Sequence, residues 1–281
     1  MVSIPDPMLV VRALDPVFIL KKGRFGKLAE SYETLSQLLA SGEKLSFTQS
    51  FFVKFYQAFL YNDRWMLYLN GVATTLLVTA FALIFGILLG TFVALVRTAH
   101  DQQRSKKNIL LGLLNLIFKI YVTIIRGTPM MVQLLIMGMV VFSSSRNFTF
   151  VGTLTLGINS GAYVSEIIRG GLMAVDSGQM EAGRSLGLNY MTTMLYIIIP
   201  QAIKSVLPAL GNEFIILLKD TSLITVIGGK ELLYAAQGIM NRTYEAMFPL
   251  LITAIIYLIL VMIFTYLLGI FERRLRQSDR R

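Results

Sequence analysis

Two apolar runs constrain this chain more than any other feature: "NGVATTLLVTAFALIFGILLGTFVALV", Asn70 to Val96, and "MFPLLITAIIYLILVMIFTYLLGIF", Met247 to Phe271. Each exceeds the ~20 apolar residues that carry a helix through a hydrocarbon core of roughly 30 Å. In lipid every backbone polar group must pair within the protein, and a helix does this within its own segment. The rest of the chain agrees. It is 55% hydrophobic, with a mean hydropathy of +0.65 and only 15% charged residues, against about 25% in soluble domains. The expected class is an all-α polytopic membrane protein.

The net charge of +10 does not point to nucleic acid. The basic residues gather in short loops flanking apolar runs, as the positive-inside rule requires. No cysteine is present, which excludes disulfides and thiolate metal sites. The single histidine, His100, lies in a charged loop and reads as a solvated surface residue, so no metal site is expected.

The intervening spans are less plain. Apolar character runs from Ile109 to Phe142, interrupted by Lys119 and by "RGTP", Arg126 to Pro129. One helix of that length would reach about 51 Å, too long for a single crossing. Either two short spans lie here, or residues 109–119 follow the cytoplasmic surface and one helix crosses at about 120–142. The second reading is preferred, because it keeps Lys119 and Arg126 near headgroups. Within "RGTP", Arg126 and Gly127 read as structural, with Thr128 as N-cap and Pro129 at the first helical position. A third span is expected at 149–168. A fourth, at 201–219, would be interrupted by Pro208. Gly86 and Gly90 form a GxxxG pair that would admit a neighbouring helix.

Arg97 to Arg126 carries six basic residues, and the C-terminal tail carries five. That asymmetry puts the 97–126 loop, the 169–200 loop and the C-terminus in the cytoplasm. Five spans then leave the N-terminus outside; six would bring it in. Residues 1–64 are expected as an N-terminal extension, with an interfacial aromatic helix at 46–66 and a poorly ordered tail through 45. No signal peptide is expected, because Arg12, Asp15 and Pro16 break the apolar stretch near the start. Residues 65–275 would form the transmembrane domain, and 276–281 a basic cytoplasmic tail.

Between the third and fourth spans lies "MEAGRSLGLNYMTTMLYIIIPQAI", polar where its neighbours are oily. "EAGRSLG", nine residues, then "IIIP" is similar to the EAA loop of ABC-importer permeases. Glu181, Ala182, Gly187, Ile197 and Pro200 match that pattern, while Gly183 replaces an alanine and Ile199 a leucine. "NGVATTL", "RGTPMMVQLL", "SGAYVSEIIRGG" and "PQAIKSVLPALGNEFIILLKDTSL" narrow the resemblance to the polar amino-acid uptake permeases of the histidine/glutamine/glutamate/arginine group. It covers roughly residues 50–275.

The resemblance implies the type I ABC importer permease architecture in a bacterial cytoplasmic membrane. It implies a homo- or heterodimer of permease subunits and two cytoplasmic ATPase subunits. An extracellular or periplasmic binding protein would deliver the amino acid. Glu181, Ala182, Gly183, Gly187 and Pro200 would form the coupling surface for an ATPase. Glycine at 187 suits a tight turn, since it enters positive φ freely. Pro200 suits the first turn of the next helix.

The chain does not power itself. No GxxxxGK[ST] phosphate loop is present; "TVIGGKE" lacks the first glycine and has Glu231 where a magnesium-binding hydroxyl would stand. No cofactor is expected in this chain, and ATP and magnesium would belong to the partner. Catalytic residues are not expected either. An intramembrane enzyme would need a constellation that one histidine and no cysteine cannot supply. A gradient-driven transporter or channel is the runner-up, without the internal symmetry that would support it.

Ionisable groups inside a span cost at least about 2.5 kcal/mol each at the bilayer centre, so they tend to face a cavity or a partner. The candidates for a substrate path are Asn159, Ser160, Glu166, Asn212, Glu213, Lys219, Asp220, Thr221 and Ser222. An amino acid would need an acceptor for its ammonium, Asp220 or Glu213, and donors for its carboxylate, Lys219, Thr221 or Ser222. Glu166 and Arg169 could also form an ordinary helix ion pair.

Overall fold

The computed structural model describes residues 16–101 and 108–278, and the regular structure among them is helical. Residues 1–15, the basic stretch 102–107 and the end of the basic tail, 279–281, lie outside the described residues. Two compact units can be separated.

One unit comprises the chain up to Trp65 together with Ile239–Pro249. Where the sequence suggests a tail, helix α1 runs over Pro16–Ala40. Helix α2, Phe47–Phe55, opens on a capping box. Ser46 accepts from the Gln49 amide, and Gln49 Oε1 accepts from the Ser46 amide. The helix expected at 46–66 is shorter than that. It passes through a π turn at Tyr56–Leu60 and ends where Asn62 and Asp63 take positive φ, which residues with a Cβ avoid in a continuing helix. Tyr32 stacks on Tyr56 with ring centroids 4.7 Å apart, joining α1 to α2. Lys54 pairs with Glu245 at 2.9 Å, and Phe51 meets Phe248 edge-on.

The other unit comprises Met66–Gly238 and Leu250 onward. Helix α3 spans Trp65–Asp101. Helix α4 spans Ile109–Gly127 and is capped by Asn108, which accepts from the Leu110 amide at 3.0 Å. Helix α5 covers Met130–Ile136 and continues in a π turn to Val141. Helix α6 covers Phe148–Met173. Two short helices follow, α7 at Ser177–Ser185 and α8 at Tyr190–Thr193. Helix α9, Ile199–Asp220, leads into a 3-10 segment at Thr221–Ile227. Helices α10, Leu232–Thr243, and α11, Met247–Ser278, complete the chain.

Trp65–Asp101, Ile109–Gly127, Tyr190–Ile227 and Met247–Leu275 are long and apolar enough to cross a bilayer. On α3 the exposed residues Leu77, Phe81, Ile84, Leu88, Phe92 and Leu95 recur every three or four positions. An apolar stripe facing outward at helical period is what a lipid solvent selects. The opposite face packs on α6. A Cβ at Gly86 would lie 2.8 Å from Ser160 Oγ, and one at Gly90 2.7 Å from the Gly161 carbonyl oxygen, so the GxxxG pair is the contact itself. Val78, Ala82, Leu134, Val151, Leu156, Leu217 and Ile224 form the core between these elements.

Two expectations about the spans are corrected. The preferred division of 109–142 at residue 120 is wrong: the helix runs unbroken to Gly127 and breaks at Thr128. Thr128 has φ −117° and ψ 145°, the extended conformation that a following proline imposes. Thr128 is consequently not the N-cap of the next helix. It ends α4, donating its hydroxyl to the Ile124 carbonyl at 2.9 Å, and Pro129 takes the cap position of α5. Pro208 does not interrupt the fourth span either. It sits inside α9, and helix is continuous from Tyr190 to Ile227.

Candidate functional site

The polar segment between α6 and α9 folds as a helix–turn–helix. Asp176 starts α7 by accepting from the Gly178 amide at 2.7 Å. The turn closes with two hydrogen bonds, from Leu188 N to the Gly183 carbonyl at 3.1 Å and from Gly187 N to the Arg184 carbonyl at 3.0 Å. With Gly187 at φ +83°, this is a Schellman closure, which needs a left-handed residue at that one position. Asn189 then caps α8, accepting from the Thr192 amide and hydroxyl, each at 2.8 Å.

Glu181, Ala182 and Gly187 stand exposed, whereas Gly183 is buried. A Cβ at Gly183 would lie 2.6 Å from Thr193 Cγ2. Thr193 thus occupies the room an alanine would need, and the two short helices touch there. Leu186 is 80% exposed at the tip. Pro200 stands in the first turn of α9, which follows the preceding segment without a break. A π turn at Met194–Ile198 precedes it, with Ile199 N bonded to the Met194 carbonyl. The extra residue in that turn widens the helix where a proline ring and its missing N–H would otherwise conflict with the ladder.

On α6, α9 and the 3-10 segment, the candidate path residues separate into groups. Ser160 and Glu213 meet, with Ser160 Oγ donating to Glu213 Oε1 at 2.8 Å. Asn159 is drawn elsewhere and donates to Gln133 Oε1 at 2.9 Å. Gln133 in turn donates from Nε2 to the Ile125 carbonyl and to Thr128 Oγ1, both at 2.8 Å. It therefore bridges the Thr128–Pro129 break and ties it to α6. On α9, Asn212 and, near its end, Lys219 are exposed, and Asp220 is half-buried. The hydroxyls of Thr221 and Ser222 are turned onto their own helix, donating to the Leu218 and Lys219 carbonyls at 2.8 Å.

Glu166 does not join that group. Gly152 packs on Ile224 just beyond Thr221 and Ser222, and Glu166 lies about 21 Å further along α6. There it is bonded by Arg97, with Arg126 Nη1 and Arg169 Nε each 3.9 Å away. Arg169 makes its shorter pair with Asp101, at 2.7 Å. The Arg126 guanidinium sits 5.3 Å from the Tyr163 ring centroid, so this arginine is held by protein groups as well as being part-exposed. His100 also belongs here, with Nδ1 3.1 Å from Asn115 Nδ2.

Gln133, Thr193 and Glu231 are not among the site residues expected from the sequence. Glu231 is 2% exposed and accepts hydrogen bonds from four elements. Gln133 carried a signal, a lone amide in the apolar run "MMVQLL". Glu231 carried a weaker one, a carboxylate beside "GG" where a surface turn is the ordinary reading.

The family model described as "Binding-protein-dependent transport system inner membrane component" matches residues 108–277. A putative glutamine transport system permease protein GlnP from Rickettsia bellii is 37% identical over 212 residues, covering 73% of this chain and 91% of the relative. The arginine transport system permease protein ArtQ of Bacillus subtilis is 35% identical over 217 residues, covering 75% and 93%. Among solved structures, an amino acid ABC transporter crystallised with histidines is similar, with TM-score 0.67 and 43% identity over 74% of this chain and 94% of that one. An inward-facing MetNI methionine ABC transporter has TM-score 0.65 at 19% identity, over 76% and 98%, a likeness of fold.

Proposed function

Since the chain belongs to the family of binding-protein-dependent transport system inner membrane components, we propose that it is the permease subunit of an ATP-driven importer for a polar amino acid. Its all-α architecture is that of a type I ABC importer permease, and it is a multi-pass protein of the cytoplasmic membrane. The relatives named for glutamine and arginine transport support the substrate class. Two permease subunits, a second copy or a homologue, would enclose the path. Two ATPase subunits would bind below, using ATP and magnesium, and a binding protein would deliver substrate from the other side. The distribution of lysine and arginine supports placing the 176–200 turn and the C-terminus in the cytoplasm.

One observation carries the reading. A Schellman-closed turn exposes Glu181, Ala182 and Leu186, and it runs without interruption into the spanning helix that holds Glu213. A carboxylate on a rigid, exposed turn can make charge-assisted bonds to a partner, and a continuous helix carries displacement from that partner to the membrane interior. Along the path, Asp220 and Glu213 supply acceptors for an ammonium, and Lys219 supplies a donor for a carboxylate. The local hydrogen bonds of Thr221 and Ser222 would have to open for either hydroxyl to serve.

The test is copurification. The tagged chain is extracted gently from its own host, and its partners are identified by mass spectrometry beside the Gly187→Trp variant. A P-loop ATPase should accompany the native chain and be lost from the inserted variant. An intact permease without any ATPase would sink the importer reading and favour gradient-driven uptake. Asp220→Asn should lower uptake in the same host; normal uptake would remove Asp220 from the path.

A further inference from the structure

The turn after the 3-10 segment is built around a carboxylate with no part in the path described above. Glu231 Oε1 accepts from Thr225 Oγ1 at 2.6 Å and from the Tyr234 amide at 2.9 Å. Oε2 accepts from the Tyr257 hydroxyl at 2.6 Å and, more weakly, from Thr75 Oγ1 at 3.5 Å. These donors come from the 3-10 segment, the first turn of α10, α11 and α3. All four are neutral. An ionised carboxylate accepts at about four lone-pair positions, so the set matches its full capacity. A protonated acid or an amide cannot accept all four.

The seat beneath this carboxylate is equally specific. Thr75 Oγ1 also accepts from the Leu232 amide at 3.3 Å. One helical turn earlier, a Cβ at Gly71 would lie 2.7 Å from Leu232 Cα. The backbone after Glu231 therefore lies directly on α3, with a hydroxyl to meet it and no side chain to hold it off. Gly228, at φ +84°, reverses the chain so that Glu231 turns back beside the 3-10 segment it has just left.

What this arrangement fixes is the rotation of Thr221–Ile227. Thr225, inside that segment, is bonded to Glu231, and Glu231 is bonded in turn to Tyr257 of α11. Lys219 and Asp220 lead straight into that segment. We propose that Glu231 is a positioning residue for transport: by holding Thr225 and Tyr257 it sets the direction in which the Lys219–Ser222 group faces the substrate path. The proposal rests on the importer reading given above. It adds a residue that would touch neither substrate nor ATPase.

The experiment uses the whole complex, permease with ATPase and binding protein, in proteoliposomes, with glutamine and arginine as probes. Glu231→Gln keeps the shape and removes half of the acceptor capacity. Tyr257→Phe and Thr225→Val each remove one donor and leave the carboxylate. Assembly and basal ATP hydrolysis should stay within about twofold of wild type, while the half-saturating amino-acid concentration should rise about tenfold with Glu231→Gln. Tyr257→Phe and Thr225→Val should shift it in the same direction by less. An unchanged half-saturating concentration in all three variants would overturn the proposal. So would parallel losses of assembly, basal hydrolysis and maximal rate at constant half-saturation, which describe a purely structural residue. A wild-type complex that moves neither probe overturns the importer reading together with this one, and the wild-type trace tells that failure from the others.

Discussion

Ser160 and Glu213 stand 53 positions apart in the chain, and the hydroxyl of the first donates to the carboxylate of the second across 2.8 Å. Glu213 is 5% exposed, and a buried carboxylate is stable only with donors. Removing the hydroxyl should therefore cost more than a surface hydrogen bond. Ser160→Ala is expected to lose about 1–3 kcal/mol of stability, read as a lower melting temperature of the purified protein. Ser160→Ala combined with Glu213→Gln should cost less than the sum of the single changes. Strict additivity would show that the two residues do not act as a pair.

Gly183 and Thr193 make a steric prediction. Adding a Cβ at 183 places it 2.6 Å from Thr193 Cγ2 and 2.9 Å from Oγ1. Gly183→Ala restores the alanine of the EAA pattern, yet here it should destabilise the turn by about 1–3 kcal/mol. Thr193→Ala in the same chain removes both contacting atoms and should restore ATPase copurification. A single Gly183→Ala variant that binds partners normally would refute this account.

Gly187 is a conformational case. Nothing lies within 4 Å of an added Cβ there, so space is not at issue, but φ is +83°. Gly187→Ala should cost about 1–2 kcal/mol through the left-handed backbone alone. Gly187→Asn should cost less, since asparagine tolerates that region. Protease sensitivity of the 176–200 turn gives the comparison, and equal sensitivity of all three proteins would contradict it.

Gln133 holds a joint. From beyond the Pro129 break its amide reaches back to Ile125 and Thr128 and also accepts from Asn159 on α6. Gln133→Leu preserves bulk but strands those partners. The expected penalty is about 1–3 kcal/mol, with faster hydrogen exchange confined to 125–133. Protection spread evenly over the chain would argue against a local joint.

Glu166 concentrates positive charge. Arg97, Arg126 and Arg169 converge on it, and its side chain is about one-third exposed, at 32%. Glu166→Gln leaves like charges facing one another, and should lower the melting temperature most at low salt, where screening is weakest. A salt-independent effect would remove electrostatics as the cause.

Legibility in the sequence followed the range of the interaction. The 176–200 turn could be read because its signals are local: Gly187 and Pro200 each act on neighbours a few positions away. The apolar runs from Asn70 and Met247 were readable for the same reason. The break at Thr128 was misplaced because a lysine at 119 suggested a boundary that backbone sterics at Pro129 decide. Pro208 reads as an interruption in the sequence, yet α9 continues through it. Glu231 was opaque, because its partners Thr75 and Tyr257 lie 156 and 26 residues away, and nothing in "GGKE" announces them.

The π turn at Met194–Ile198 has a consequence in angular phase. A π turn amounts to one residue inserted into an α-helix, and each residue of a helix advances the face by about 100°. The side of the Tyr190–Ile227 helix that seats against Gly183 and the side that carries Glu213 are thereby set at an offset different from that of a regular helix. Deleting one residue between 194 and 198 would keep the helix and its length nearly intact while turning Glu213 about a quarter-turn away from Ser160. The extra residue acts as a phase shifter between the turn and the membrane interior.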